Sequence, residues 1–205
     1  MKAWMAAGAV ALALGAGAGA YAAAGPAHFG RAPDADRGSL GATEDAPSLY
    51  SLHLTLRGED QGTMGVDVFR GHPTLVAMFY GSCPSACPVL ISSVARLDAQ
   101  LPAAVRAETR VLLVSFDAEH DTPEALARIA ERHRVDARWK FAAGADDEVR
   151  QLANALGVVY RKESGGAFSH NSVIAALDGE GRVVARVDDP RADLAPLVKA
   201  INASR

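Results

Sequence analysis

Hydrophobic and polar positions change period several times along the chain. From residue 50 to 56 they alternate, with Leu52, Leu54 and Leu56 on one face and His53 and Thr55 on the other. That is the period of a half-buried strand. Residues 58–62 read as a turn, and Gly71-His72-Pro73 as another. Residues 74–80 are apolar almost throughout, as a central strand covered on both faces is. Pro88 then opens a helix running to about Leu101, at a first-turn position that tolerates proline. Val89, Leu90, Val94 and Leu97 give that helix its apolar stripe.

A second buried strand is predicted over residues 111–116. Asp121-Thr122-Pro123-Glu124 combines a polar cap, a first-turn proline and an early acid, and so starts a helix whose inner face is Leu126, Ile129 and Ala130. Residues 145–156 form another helix, opened by Asp146-Asp147-Glu148 where the dipole favours acids. A short strand follows at residues 158–160. Residues 172–177 and 182–187 flank Asp178-Gly179-Glu180-Gly181, a hairpin signal, and residues 192–200 close with a helix. After the first hairpin the order is β-α-β-α-(α)-β-β-β-α. The fold class is α/β, a three-layer domain with an N-terminal β-hairpin extension.

This domain is expected over residues 48–205. Two other regions precede it. Residues 1–24 begin with Lys2 and continue as an uncharged Ala/Gly/Leu/Val run. The run ends in Ala20-Tyr21-Ala22 and Ala22-Ala23-Ala24, both of small-x-small form. This is a Sec-type export pattern, read as a signal peptide or as a retained N-terminal membrane anchor; the run is about long enough to span a bilayer. No cysteine follows it to carry a lipid. Residues 25–47 are rich in Gly, Pro, Ala and Asp without an apolar period, and read as a flexible linker. Export implies a periplasmic location, soluble or anchored to the inner membrane. With 21 basic and 24 acidic side chains the formal net charge is -3, and no basic stripe is visible, so nucleic acid is not an expected partner.

The chain's two cysteines stand together in Gly81-Ser82-Cys83-Pro84-Ser85-Ala86-Cys87-Pro88, directly after the first core strand. Thiolates bind soft metals and exchange disulfides. In an oxidising compartment the pair is a disulfide by default unless metal or a reductant maintains the thiols. Cys87 precedes Pro88, and so falls at or near a helix cap, where free N–H groups and the dipole stabilise a thiolate. Two cysteines at a strand end before a helix form the thioredoxin-like arrangement. The extra residue relative to Cys-x-x-Cys widens the loop so that both sulfurs can face one ion.

Six histidines are available as a third ligand. His28, His53, His72, His120 and His133 fall in the linker, on a polar strand face, in turns or near a helix end, and read as solvated surface residues. His170 differs, because it lies in a glycine-containing loop just before a core-type strand, the loop that in a thioredoxin-like fold lies against the cysteines. Thiol oxidoreductases usually place a cis-proline there, and no proline stands in this one. Two thiolates and an imidazole suit copper: sulfur favours Cu(I), and related sets also hold Cu(II). Zinc prefers a fourth ligand, and the sequence offers none nearby. Asp117 is placed to orient a loop beside the site or to cap a turn.

At these residues the chain resembles the Sco/SenC family of copper chaperones. Residues 79–88 look like the family's aromatic-Gly-x-x-Cys-Pro-x-x-Cys-Pro run. Residues 114–124, from Val114-Ser115 through Asp121-Thr122-Pro123-Glu124, resemble its Val-Ser-x-Asp-Pro-x-x-Asp-Thr-Pro-Glu segment. Residues 153–160 are similar to its segment ending Gly-Val-x-Tyr, and residues 169–172 to its histidine segment. The chain departs from the pattern at Ser85, Ser169 and Ala118, where acidic residues and a proline are common. Loss of two acids beside the site lowers its negative charge.

The resemblance implies a thioredoxin-like fold. It also implies copper ligands Cys83, Cys87 and His170, with Cu(I) and/or Cu(II) as cargo. The implied partner is the CuA subunit of cytochrome c oxidase or another cuproprotein, with a thiol–disulfide reductant to keep the pair reduced. The competing reading is a periplasmic thiol–disulfide oxidoreductase that reduces client cysteines. In that reading Cys83 and Cys87 are the catalytic pair, one sulfur attacking and the other resolving.

Overall fold

The computed structural model describes residues 47–83 and 86–204. The expected leader and nearly all of the expected linker lie outside these residues, as do Pro84 and Ser85 within the cysteine loop. The described strands are β1 (Leu56–Gly58), β2 (Thr63–Met64), β3 (Thr74–Phe79), β4 (Arg110–Ser115), β5 (Trp139–Ala143), β6 (Tyr160–Lys162), β7 (Phe168–His170), β8 (Ile174–Leu177) and β9 (Val183–Val187). The helices are α1 (Ala86–Gln100), α2 (Ala103–Glu108), α3 (Pro123–His133), α4 (Asp146–Leu156) and α5 (Ala195–Ala203).

One seven-stranded sheet runs in the order β2-β1-β5-β4-β3-β8-β9, and β6 pairs with β7 as a separate ribbon. Strands β3, β4 and β5 are parallel, and β8 returns antiparallel to β3 with β9 beside it. Every residue of β3 is buried, so helices must cover both faces of the sheet. Phe79 lies with Ile91 of α1 and Ile129 of α3. Val76, three positions back and therefore on the opposite face, lies with Leu152 of α4 and with Leu49, Tyr50 and Phe69 from the N-terminal segment. This is the three-layer, thioredoxin-like α/β arrangement expected, with the β1–β2 hairpin as its N-terminal extension.

Local chemistry accounts for the element ends. The Thr122 hydroxyl accepts the Ala125 N–H at 3.3 Å and Pro123 occupies the first turn, so α3 starts where the sequence marks it. Helix α4 ends at Gly157 with φ +70°, a conformation that costs glycine nothing; a side chain there would run into the Arg186 guanidinium.

Five expectations need correction. The alternation at residues 50–56 is real as burial, with Leu54 and Leu56 inside, but residues 49–51 form a 3₁₀ turn capped by Ser48, and the ladder begins only at Leu56. Helix α1 begins at Ala86 rather than Pro88, so Cys87 sits inside its first turn. Strand β5 was not expected: Trp-Lys-Phe-Ala-Ala is short and ends in alanines, yet it pairs with both β4 and β1. Helix α2 is also additional, too short for an amphipathic period to show. Finally, the strand expected at residues 158–160 lies later, at Tyr160–Lys162, and residues 168–170 are its partner rather than loop.

Candidate metal centre

The register of β3 and β4 sets Phe79 opposite Ser115, so the segments leaving these two parallel strands emerge side by side. One carries the cysteines. The other carries Asp117 to Asp121. Carboxyl ends of parallel strands are the usual place for a site in an α/β sheet.

Gly81 joins the two segments. Its N–H donates to Asp121 Oδ2 at 2.7 Å, and the Ser115 hydroxyl donates to the same oxygen. A Cβ at residue 81 would strike the Asp121 carboxylate and come within 2.9 Å of Ile129 Cδ1, so the position admits only glycine without rearrangement. Asp121 is 3% exposed, and its burial raises its pKa above the ordinary carboxylate value.

Beyond Gly81 the chain turns, with the Cys83 N–H donating to the Tyr80 carbonyl at 3.3 Å, and then enters α1. Both cysteines are buried, at 8% and 2% exposure. The Cys87 N–H belongs to the first helical turn, where no intrahelical acceptor exists, and it donates to Cys83 Sγ at 3.4 Å. The Tyr80 N–H donates to Cys87 Sγ, also at 3.4 Å. The loop therefore folds both sulfurs toward each other and toward the end of β3.

Burial dominates the environment of Cys87. Desolvation pushes its thiol up to about 12, with the neighbouring Cys83 adding to the rise, although the Tyr80 N–H acts in the opposite sense. The expectation of a stabilised thiolate at the helix start is thus corrected: the first-turn position is right, but it lies under protein rather than at an open cap. Desolvation also raises the Tyr80 phenol, and a side-chain hydrogen bond with Cys83 raises it further.

His170 ends β7. Its ring packs edge-on against Tyr80 at 5.8 Å and against Phe116 at 5.1 Å. Phe116 in turn stacks on Tyr160 at 4.8 Å and meets Phe168 at 5.0 Å. This aromatic cluster ties the β6–β7 ribbon to the end of β4. His170 Nδ1 lies 2.8 Å from the Asn171 carbonyl oxygen. A carbonyl only accepts, so Nδ1 carries a proton, and in the neutral ring Nε2 is then the nitrogen that can bind a metal. The structure brings Cys83 and Cys87 together, and His170 close to Tyr80. It does not bring His170 into a three-ligand cluster with the sulfurs: among the described residues the trio of potential ligand atoms within 4.8 Å of one another is Asp117, Glu119 and His120.

Sequence reasoning missed three contributors. By sequence Tyr80 is only the strand's last apolar residue, whereas its phenol reaches Cys83. By sequence Asp121 is part of a helix start, whereas its carboxylate holds Gly81. His133, read as a surface residue, lines with Arg132 the narrow crevice that also contains Cys83, Cys87 and Pro88. Burial and the Arg132 charge lower the His133 pKa, which favours a neutral ring. The signal available for Asp121 was the pairing of a strand-end Ser with an acid six residues on. None existed for His133.

Known proteins resemble this chain in sequence or in fold. A Stutzerimonas stutzeri protein described as a candidate copper-binding protein is 24% identical over 141 residues, covering 67% of this chain and 68% of that protein. Arabidopsis thaliana ScoI, solved with copper bound, superposes with a TM-score of 0.63 at 18% identity, covering 73% of this chain and 96% of that one. Apo Sco1 from Thermus thermophilus has a TM-score of 0.61 at 25% identity, covering 73% of this chain and 88% of that one. The family model described as SCO1/SenC matches residues 43–204, which takes in the whole described domain with its paired thiols and the His170 ribbon, and the chain belongs to that family.

Proposed function

We propose that this chain binds copper through Cys83, Cys87 and His170 and passes it by ligand exchange to the CuA centre of cytochrome c oxidase or to another cuproprotein. The observation that carries the reading is the pairing of two buried cysteine sulfurs across one N–H···S contact of 3.4 Å. Paired thiolates are a soft donor set suited to Cu(I), and an imidazole extends that set toward Cu(II). Family membership and a neighbour solved with copper bound support the same cargo.

The residues divide the work. Cys83 and Cys87 hold the ion, and both must lose a proton to do so, which makes loading release protons. The Tyr80 N–H and the Cys87 N–H stabilise the sulfurs' charge. His170 supplies the exchangeable third donor from a ribbon that is not part of the main sheet, so it can leave without breaking a ladder of the core. A reductant of the Cys83–Cys87 pair governs whether the site can load.

The thiol–disulfide reductase reading uses the same sulfurs. It needs an attacking thiol ionised near neutral pH; burial pushes Cys87 the other way, which leaves Cys87 only the resolving role and Cys83 the attack. Delivery to a CuA client fits an exported protein, and the export reading rests on residues 1–24. Among the described residues no helix is long and apolar enough to cross a membrane.

The test is copper titration of the reduced protein under anaerobic conditions. One Cu(I) per chain is expected, lost in Cys83→Ser and Cys87→Ser and weakened in His170→Ala. Transfer to a metal-free CuA domain should follow for the wild type alone. No stoichiometric copper in the reduced wild type overturns the function; undiminished affinity in His170→Ala overturns that ligand.

A further inference from the structure

The segment between β4 and α3 carries a second set of donors that the thiol site does not use. Asp117, Glu119 and His120 present one ligand atom each, all within 4.8 Å of one another. Asp117 is the unusual member. Its side chain is 2% exposed, yet its carboxylate has no hydrogen-bond partner outside the trio among the described residues: His120 Nδ1 approaches its two oxygens at 2.9 and 3.1 Å. The Ser115 hydroxyl donates to Asp121 instead. A carboxylate removed from water calls for strong compensation, and here it comes only from two exposed groups, the His120 imidazole at 60% and the charge of Lys162 at 47%.

Asp117 also opens onto two cavities. One, of about 250 Å³, is shared with Glu119 and Lys162. The other, of about 340 Å³, is shared with His120, Tyr80 and Ser82. We propose that Asp117, Glu119 and His120 form a second metal site, for a divalent transition ion of the Zn(II) or Cu(II) type, beside the thiol pair and independent of it.

The chemistry of the donors selects that class. Two carboxylates and one imidazole form a harder set than paired thiolates and suit Zn(II) or Cu(II) over Cu(I). Calcium asks for about six to eight oxygens, which this segment lacks. Bonds of about 2.1 Å give ligand–ligand edges of about 3.0 to 3.4 Å. The present 2.9 Å between His120 Nδ1 and Asp117 Oδ1 lies close to that range, so an ion can take the place of the bridging proton with little rearrangement. Glu119 must give up Lys162 at 2.9 Å, a pair with side chains 71% and 47% exposed and therefore cheap to open. The wall shared with Tyr80 and Ser82 sets this site next to the cysteine loop, so one chain would hold a hard ion and a soft ion side by side.

The test uses the full chain with the thiol site removed, as Cys83→Ser/Cys87→Ser/His170→Ala, titrated with Zn(II) alone and separately with Cu(II) alone. One equivalent of each is expected, with the Cu(II) spectrum showing a single coordinated imidazole. Adding His120→Ala, an exposed change that leaves the fold intact by circular dichroism, should weaken binding by about tenfold or more. Asp117→Asn should do the same, whereas His133→Ala should change nothing. A thiol-free protein that takes up neither ion, or uptake that survives His120→Ala, overturns the proposal. Because this protein lacks the thiol ligands, neither result depends on whether Cys83, Cys87 and His170 bind copper.

Discussion

The Asp121 carboxylate accepts the Gly81 N–H at 2.7 Å and so fastens the start of the cysteine loop to the start of α3, forty residues away in sequence. Asp121→Ala would leave that donor and the Ser115 hydroxyl without their acceptor inside the protein. A loss of about 1–3 kcal/mol in denaturant unfolding is expected, with slower or weaker copper loading. Asp121→Asn keeps a carbonyl acceptor and should cost less. The pH dependence separates the two roles of the carboxyl. Burial raises its pKa, so the folded state binds the proton more tightly than the unfolded state does. Stability therefore falls as pH rises from the ordinary carboxyl value through the raised one. Asp121→Asn should flatten that limb; an unchanged pH profile would remove the buried carboxyl as its source.

The raised Cys87 thiol makes a second prediction. With its pKa pushed up to about 12, the thiolate fraction at pH 8 is about one in ten thousand. Alkylation of Cys87 by iodoacetamide in the reduced, metal-free protein should accelerate about tenfold per pH unit from 7 to 11. The thiol is bound more tightly to its proton in the folded state, so folding stability should fall as pH rises from about 9 toward about 12. Mass spectrometry of peptides labelled across that range measures the first effect. A plateau near pH 9 would mean an open, ordinary thiol.

What could be read from the sequence follows from what each signal measures. Leu75 to Phe79 and Val111 to Val114 are apolar because both faces of β3 and β4 are covered, so composition alone located the central strands. Thr122-Pro123 marked the start of α3 because cap chemistry is local. Strand β5 escaped because five residues carry too little period, and its place is fixed by ladders to β4 and β1 that are distant in sequence. The cysteine pair was legible as a motif. Its burial was not, because burial comes from Ile91, Ile129 and the α3 side of the crevice, and it reverses the expected sense of the Cys87 pKa. His170 was found by its position before β8, whereas the ribbon that carries it depends on the pairing of Tyr160 with His170.

That ribbon rests on Phe116, which stacks on Tyr160 with ring planes 14° apart and touches both Phe168 and His170. Phe116→Ala removes the common partner of all three rings. Loss of about 3–5 kcal/mol is the scale for a buried Phe, and here it should be felt first in the two-stranded β6–β7 unit, which has only its own ladder. Amide exchange of residues 160–170 should speed up well before that of β3 and β4, and the His170 contribution to copper affinity should vanish while the two-thiol contribution remains. Uniform acceleration across the sheet would show that Phe116 supports the core rather than the ribbon. Phe116→Tyr keeps the ring and should restore both.

The strongest charge pairing lies at the other end of β4, away from the site. Asp98 of α1 has a side chain 2% exposed and takes two hydrogen bonds from Arg138, at 2.8 and 2.9 Å, and a third from Arg106 at 2.8 Å. Arg138 also donates to the carbonyl of Arg106 at 2.8 Å, so it links α1, α2 and the entry to β5. The hydrogen bond to Asp98 holds the guanidinium pKa above its ordinary value, and Asp136 adds to it. Removing one partner leaves a buried charge half compensated, which costs about 3–5 kcal/mol. Arg138→Ala should therefore lower the unfolding midpoint substantially, and Asp98→Leu should do so through the stranded arginines. Arg138→Ala/Asp98→Leu, which removes both charges and refills the volume, should recover much of the loss, and a thermal melt of the four proteins measures the coupling. Copper stoichiometry should be the same in all of them, since the network touches neither cysteine. A double variant no more stable than Arg138→Ala would mean that Asp98 is tolerated without its partner, and that the N-terminal end of β5 is held by its ladder alone.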